Sequence, residues 1–342
     1  MKKIYIFVFT IVFVCCLNAQ ELKVLFVGNS YTYVNDLPNL LKQLAQTSNQ
    51  NISTTSFTPG GARFLTHWQN EALKQEIRKG NYDIMILQGQ SQEVAFPPSQ
   101  FQAEVYPYAK KLDSLFKEYN PEGRVIFFMT WGYRYGDANN CQFYPPFCSY
   151  ESMSMELCQN YSTLASDFQS ELAPIGNAWL YLYNQDANSF DLHSSDNSHP
   201  NLRGSYFSAC VLYTTIFQTS ISSDYYADLS SQEALSLQQT ASMLFNNSVL
   251  SSCGNFSSLN SEEQKTLSIK YLAENNTIEI NNIIGKNAVV EIYNILGSKI
   301  MEKILPNVTQ YFLNVKDLQK GYYILKITDK ENISTYKFNK VI

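Results

Sequence analysis

The chain has 342 residues, 45% of them hydrophobic, and a formal net charge of −5. That length predicts more than one domain and is enough for a sizeable core. Residues 265–342 carry 11 Lys against 7 acidic residues and the first 20 carry two Lys, so the acidic excess falls in between, which argues against nucleic acid as a partner.

The chain opens with "MKKIYIFVFTIVFVCCLNAQ", two lysines followed by a long apolar run and then Leu17-Asn18-Ala19. This pattern reads as a secretory signal peptide over residues 1–19, cleaved near Gln20. Cys15 is preceded by Phe13 and Val14, not by the small residues that a lipid-attachment site wants. No later stretch is apolar enough to span a bilayer.

From residue 20 onward, strand-like and helix-like segments alternate. Strands are predicted at 22–27, 51–57, 82–87, 124–130 and 172–176, with helical stretches such as "LPNLLKQLAQ" and "EVYPYAKKLDSLFKEY" between them. Such interleaving implies a mostly parallel sheet covered by helices on both faces. The loops after the strands then meet at one sheet edge, where open α/β folds place their chemistry. "GNSYT" follows the first strand, "TPGGARF" the second, "QGQSQ" the third and "TWGYRYGD" the fourth. Ser30, at the tip of the first loop, is either an ordinary turn serine or a nucleophile.

The cysteines add two expectations. Without Cys15 and Cys16 five remain, so at least one thiol is unpaired within the chain. Cys141 and Cys148 bracket a Pro-rich loop and suit a disulfide in an exported protein, with Cys158 as a competing partner, while Cys210 lies in an apolar run as a buried thiol. No CxxC or HExxH spacing occurs, so neither a metal site nor another cofactor is expected.

A partner for Ser30 comes late, in "DLHSSDNSHPNLRGSYF". Asp196 and His199 are three apart in a turn, a spacing that lets the carboxylate accept from Nδ1 and leaves Nε2 outward as a base. His193, two residues after Asp191, is a rival base. A serine needs such a base because its hydroxyl is a weak nucleophile at its free pKa, and Gly60-Gly61 lets a backbone N–H come close to a developing oxyanion.

The order Gly-x-Ser after the first strand, a Gly-bearing loop after the second, an amide side chain after the third and a late Asp-x-x-His-Pro resembles the SGNH (GDSL-like) hydrolases, over roughly residues 20–220. The resemblance implies a three-layer α/β/α, flavodoxin-like fold with Ser30 as nucleophile, His199 as general base and Asp196 as its orienter. It implies an oxyanion hole made by the N–H groups of Ser30 and Gly61 and one side-chain amide. Here the chain departs from the family's Gly-x-Asn-Asp block: "LQGQSQ" offers Gln88, Gln90 and Gln92, and counting from the strand end favours Gln90. "GNS" also stands where Gly-Asp-Ser is usual. His67, Trp131 and Arg134 are candidate substrate contacts, and each has an ordinary packing or solvated role as its alternative. The 14% aromatic content fits either sugar-stacking surfaces or core packing.

After residue 250 the character changes. Residues 251–266 read as a small, polar linker. Residues 267–342 hold short alternating strands that suggest an antiparallel β-sandwich. "VVEIYNILGSKI", "LQKGYYILKIT" and the terminal basic strand resemble the C-terminal sorting domain of the type IX secretion system of Bacteroidetes, with an accessory binding domain as the alternative.

Together these readings describe a secreted or outer-membrane surface protein of a Gram-negative bacterium, its tail recognised by the type IX machinery. The activity expected is that of a serine esterase on short acyl esters, with an acetylated polysaccharide as a possible substrate. The alternatives are a lipase or lysophospholipase, and a non-catalytic glycan-binding protein on the same fold.

Overall fold

The computed structural model describes residues 21–187, 190–247 and Cys253, and in the C-terminal part residues 268–281, Ile283, 288–305, 310–329 and 332–340. The expected signal peptide lies outside the described residues, as does the expected linker apart from Cys253. The chain divides into two compact units between Leu259 and Asn260.

The first unit contains a five-stranded parallel sheet of β1 (Leu22–Val27), β2 (Ile52–Phe57), β3 (Ile84–Leu87), β4 (Arg124–Phe128) and β5 (Glu171–Ala173), in the order β2-β1-β3-β4-β5. This is the flavodoxin-like order, in which the chain leaves β1 toward opposite sides and opens a crevice at the carboxyl edge. β1 shows why both faces are covered. Val24 and Phe26 join one apolar core, with α2 (Leu37–Thr47), α8 (Ile175–Gln185), α9 (Leu202–Phe217) and α10 (Ser231–Asn246). Leu25 and Val27 join the other, with α3 (Phe64–Gln69), α4 (Glu71–Ile77), α6 (Tyr106–Tyr119, which follows the short α5, Pro98–Gln100) and α7 (Tyr150–Phe168). The three-layer α/β/α fold is therefore present. Alternation along a strand buried on both faces feeds two cores at once.

Register sets up the site. Val27 pairs with Phe57 on one side and with Leu87 on the other, and Leu87 pairs with Phe127. Four strands thus end in one row, and the loops after them leave side by side.

Some element ends differ from expectation. β3 begins at Ile84 because the preceding backbone is used elsewhere: the Tyr82 N–H donates to Asn120 Oδ1 at 3.0 Å. β5 stops at Ala173 because Pro174 opens α8 at Ile175. Two disulfides join Cys141 to Cys148 and Cys158 to Cys253, and Cys210 is a buried free thiol. Cys158 thus pairs with Cys253, which follows α10 in the chain, and does not compete for the loop.

The second unit is a pair of antiparallel sheets. β6 (Ser268–Leu272), β7 (Thr277–Asn281) and β10 (Gln310–Asn314) form one in the order β10-β7-β6. β8 (Val289–Asn294), β9 (Lys299–Ile304), β11 (Gly321–Asp329) and β12 (Asn332–Lys340) form the other in the order β12-β11-β8-β9. Ile278, Ile280, Val290, Ile292, Leu325 and Ile327 pack as its core.

Candidate active site

Ser30 is the first residue of α1 (Ser30–Tyr33), a single turn that begins three residues beyond β1. Asn29 caps that turn, its Oδ1 accepting from the Tyr31 N–H at 3.0 Å. As the first helical residue, Ser30 has no intrahelical acceptor for its own N–H. Its hydroxyl lies 2.8 Å from His199 Nε2, across 169 residues of chain.

His199 is held by the loop that ends at Pro200. Its Nδ1 is 2.5 Å from Asp196 Oδ2. The other oxygen of Asp196 accepts from Ser194 Oγ at 2.8 Å and from the N–H groups of Ser198 and His199 at 3.0 and 2.9 Å. Burial opposes ionisation of Asp196, but these donors and the His199 ring outweigh it and hold the carboxyl well below the usual carboxylate range. A charged Asp196 fixes the ring with Nδ1–H toward itself, so Nε2 accepts the Ser30 hydroxyl hydrogen. The hydrogen-bonded chain runs Ser30, His199, Asp196.

A cleft of about 370 Å³ opens over this chain, with Ser30, Gly61, Gln90, Tyr133 and His199 in its walls. Gly61 has φ +68°, and a Cβ there would meet nothing within 4 Å, so its backbone faces open space. Gln90 is tethered at both ends: Oε1 accepts from the Gln92 N–H at 3.1 Å, and Nε2 donates to Ser91 Oγ at 2.7 Å. One amide hydrogen of Gln90 remains for the cleft. Gln88 is fully buried beneath the site and bonds to Asn29, Thr32 and Gly89.

The structure moves the three candidate substrate contacts away from the cleft. His67 is fully buried and shares a hydrogen between Nε2 and the Gly28 carbonyl at 2.9 Å; burial lowers its pKa to about 4, so the ring is neutral and Nε2 is the donor. Trp131 is also fully buried, stacked between Tyr31 at 4.6 Å and Trp179 at 3.8 Å, and its Nε1–H donates to the Ser198 carbonyl at 3.1 Å. Arg134 points outward to Asp191 and over the Tyr135 ring, while its N–H donates to the Asn197 carbonyl at 2.9 Å. His67 therefore holds the turn before Ser30, and Trp131 and Arg134 hold the loop that carries His199. His193, the rival base, is buried among Tyr150, Trp179 and Phe190, and its Nε2 bonds the Gly132 carbonyl at 3.0 Å.

Several residues of the site were not singled out from the sequence. Asn29 reaches two neighbouring loops, its Nδ2 donating to the Ala62 carbonyl at 3.1 Å and the Gly89 carbonyl at 3.4 Å. Tyr31 shares a hydrogen with Ser198 Oγ at 2.7 Å and meets the His199 ring edge-on. Tyr133 OH lies 2.9 Å from Ser91 Oγ, which makes this wall of the cleft polar. Only the adjacency of Asn29 and Tyr31 to Ser30 was available as a signal. Among the described residues no group of three or more His, Cys, Asp or Glu is placed to hold a metal ion, and no helix is long and apolar enough to cross a membrane.

Residues 263–341 match the family model of the secretion system C-terminal sorting domain. The chain therefore carries the type IX sorting tail, which directs it to the cell surface or exterior. No curated protein matches the chain. Among solved structures, a DUF4886 family protein from Bacteroides uniformis is similar at 15% identity, covering 66% of this chain and 95% of that one, with a TM-score of 0.53; the likeness is one of fold. An acetyl xylan esterase is similar at 14% identity over 57% of this chain and 100% of that one, TM-score 0.45. A psychrotrophic esterase from Pseudoalteromonas sp. is similar at 12% identity over 57% and 97%, TM-score 0.39.

Proposed function

We propose that the first unit is a serine ester hydrolase of the SGNH type, acting on short acyl esters outside the cell. The observation that carries this reading is the Ser30–His199–Asp196 hydrogen-bonded chain at the floor of an open cleft.

In this reading Ser30 Oγ attacks the ester carbonyl while its proton passes to His199 Nε2, and Asp196 stabilises the imidazolium that forms. The N–H groups of Ser30 and Gly61 and the remaining amide hydrogen of Gln90 receive the oxyanion. Collapse breaks the bond to the alcohol, which leaves with the proton from His199. Water then attacks the acyl-enzyme with His199 again as base, releasing the acid and restoring Ser30. The residues at work are all protein side chains and backbone.

The cleft favours a small acyl group and a polar alcohol. Its walls include the hydroxyls of Ser91, Tyr133 and Ser198 and the amide of Gln90, whereas a long acyl chain would want an extended apolar groove. Export by the sorting tail brings the site to external glycans, so an acetyl ester on a polysaccharide is the substrate class proposed. The proposed limits are residues 20–250 for the hydrolase, 251–266 for a linker and 267–342 for the tail.

The test is hydrolysis of p-nitrophenyl acetate, butyrate and octanoate and release of acetate from acetylated xylan, by the mature chain beside Ser30→Ala and His199→Ala. The expected result is turnover that declines with acyl length and falls by about 10³-fold or more in both variants. Folded variants as active as wild type would overturn the reading.

A further inference from the structure

Glu93 is a fully buried carboxylate that the reaction above does not use, and it lies between the two loops that carry Gly61 and Gln90. One of its oxygens accepts from the Phe64 N–H at 3.0 Å and the other from Arg63 Nε at 3.0 Å. Its own N–H donates to the Gln90 carbonyl at 3.1 Å. Only 1% of its side chain is exposed. Burying a charge is costly unless it is paired and hydrogen-bonded, and here both oxygens are paired with the same short segment of chain.

That segment needs an external restraint. Gly61 has φ +68° and lies in a tight turn closed by the Ala62 N–H on the Pro59 carbonyl at 3.1 Å. The restraints come from its neighbours: the Ala62 carbonyl on Asn29, Arg63 and the Phe64 N–H on Glu93, and the Phe64 ring against Gly89, where a Cβ would lie 3.1 Å from it. Glu93 supplies two of these from the strand-end loop that also carries Gln90.

We propose that Glu93 is a positioning residue for ester hydrolysis, its carboxylate setting the Gly61 N–H and the Gln90 amide at one mutual distance, and that it does so only when ionised. This rests on the reading of Ser30 as nucleophile given above. Protonation removes the charge and turns one oxygen into a hydroxyl, a weaker acceptor whose own hydrogen competes for the space facing Arg63 or Phe64, so the bridge is weakened. The groups that face Glu93 are Arg63 at the start of α3, with Glu104 from the turn before α6 as the second partner of that guanidinium, and the Tyr161 hydroxyl of α7. Burial pushes the carboxyl up to about 7 against the pull of the Phe64 N–H and Arg63, so the bridging form is complete only above neutrality.

The experiment follows p-nitrophenyl acetate hydrolysis from about pH 5 to pH 9 by the full mature chain and by Glu93→Gln, Arg63→Gln, Glu104→Gln and Ser30→Ala. Glu93→Gln is expected to lower kcat by about 10- to 100-fold, as loss of an oxyanion donor does, with KM within about twofold. The part of the acid limb near pH 7 should vanish with it. Arg63→Gln removes the positive partner, so the limb of that variant should move to higher pH. Glu104→Gln should stay within about twofold of wild type throughout.

A folded Glu93→Gln with wild-type kcat, or with a raised KM at unchanged kcat, overturns the proposal. Should Glu93→Gln fail to fold, an unmoved limb in Arg63→Gln overturns it and a raised limb supports it. If Ser30→Ala hydrolyses the ester as well as wild type, the hydrolase reading falls and this proposal with it. If only Ser30→Ala is inactive and the Glu93 and Arg63 variants match wild type, the hydrolase reading stands and the positioning role fails.

Discussion

Asn29 and Gln88 form a reciprocal amide pair beneath the nucleophile: the Asn29 N–H donates to Gln88 Oε1 at 3.0 Å, and Gln88 Nε2 donates to Asn29 Oδ1 at 2.9 Å. Gln88 Oε1 also accepts from Thr32 Oγ1 at 2.8 Å. The glutamine at the end of β3 is thereby committed to the turn that presents Ser30, and Gln90 is the amide left in the cleft wall. The pair has two different consequences for substitution.

Gln88→Ala strands the Asn29 N–H and the Thr32 hydroxyl in a buried setting, while Asn29 Oδ1 keeps the Tyr31 N–H. Each unsatisfied group costs about 1–3 kcal/mol, and a loss of about 3 kcal/mol or more is expected in urea unfolding. Gln90→Ala touches only the cleft wall. It should unfold at nearly the wild-type midpoint while kcat on p-nitrophenyl acetate falls about 100-fold.

Gly28 and Gly61 should both lose stability on replacement by alanine, for different physical reasons. A Cβ at Gly28 would lie 2.5 Å from Thr32 Oγ1 and 2.6 Å from Gln88 Oε1, so the Ser30 turn must shift. Overpacking of this kind costs about 1–3 kcal/mol, and turnover should fall with stability. At Gly61 a Cβ meets nothing, and only the strain of φ +68° remains, about 1–2 kcal/mol. Thermal melts and kcat on the same two proteins separate steric displacement from backbone strain.

The two disulfides differ in the length of chain they close. Cys158 and Cys253 are 95 residues apart, Cys141 and Cys148 only 7. Chain-entropy arguments assign about 4–5 kcal/mol to the first and about 2 kcal/mol to the second. Cys158→Ser with Cys253→Ser should lower the unfolding midpoint more than Cys141→Ser with Cys148→Ser, compared under oxidising conditions.

Glu93 also makes a prediction for stability, with a sign opposite to that for activity. Its folded pKa of about 7 lies above the ordinary carboxylate value, mainly through burial. The folded state therefore holds the proton more tightly, and this contribution is full below about pH 4 and lost as pH rises through about 7. Relative to Glu93→Gln, wild type should lose on the order of 3 kcal/mol across that window, read as the difference between two urea-unfolding series. Asp196 works in the other sense: its pKa is held low, so its stabilisation is present above the ordinary carboxylate range and fades only in strong acid.

Much of the first unit was legible in the chain because its signals are local. The apolar runs ahead of Gly28 and Gly89 marked parallel strands with polar loops at one edge, since strands buried on both faces need unbroken hydrophobic sequence, while the edge strand at 52–57 is largely Ser and Thr. Asp196 and His199 could be read as neighbours because three residues in a turn bring their side chains together. Gly60-Gly61 announced a backbone free to approach another loop. The tail announced itself by short alternating strands and a net positive charge at the extreme C-terminus.

Tertiary structure decided everything that depends on what lies opposite. Whether Gln88 or Gln90 faces the cleft follows from which side chain the buried Asn29 captures. Trp131 became a buried support between Tyr31 and Trp179, and His67 a prop under Gly28, because their partners come from loops and helices distant in the chain. Glu93 reads as one more surface carboxylate until the fold brings Arg63 and the Phe64 N–H to it from 30 and 29 residues away. The pairing of Cys158 with Cys253 likewise joins residues 95 apart in the chain. The physical reason is common to all of these: a hydrogen bond or a close packing contact is set within a few tenths of an ångström by groups from different strands, and one chain segment carries no record of the distance to another.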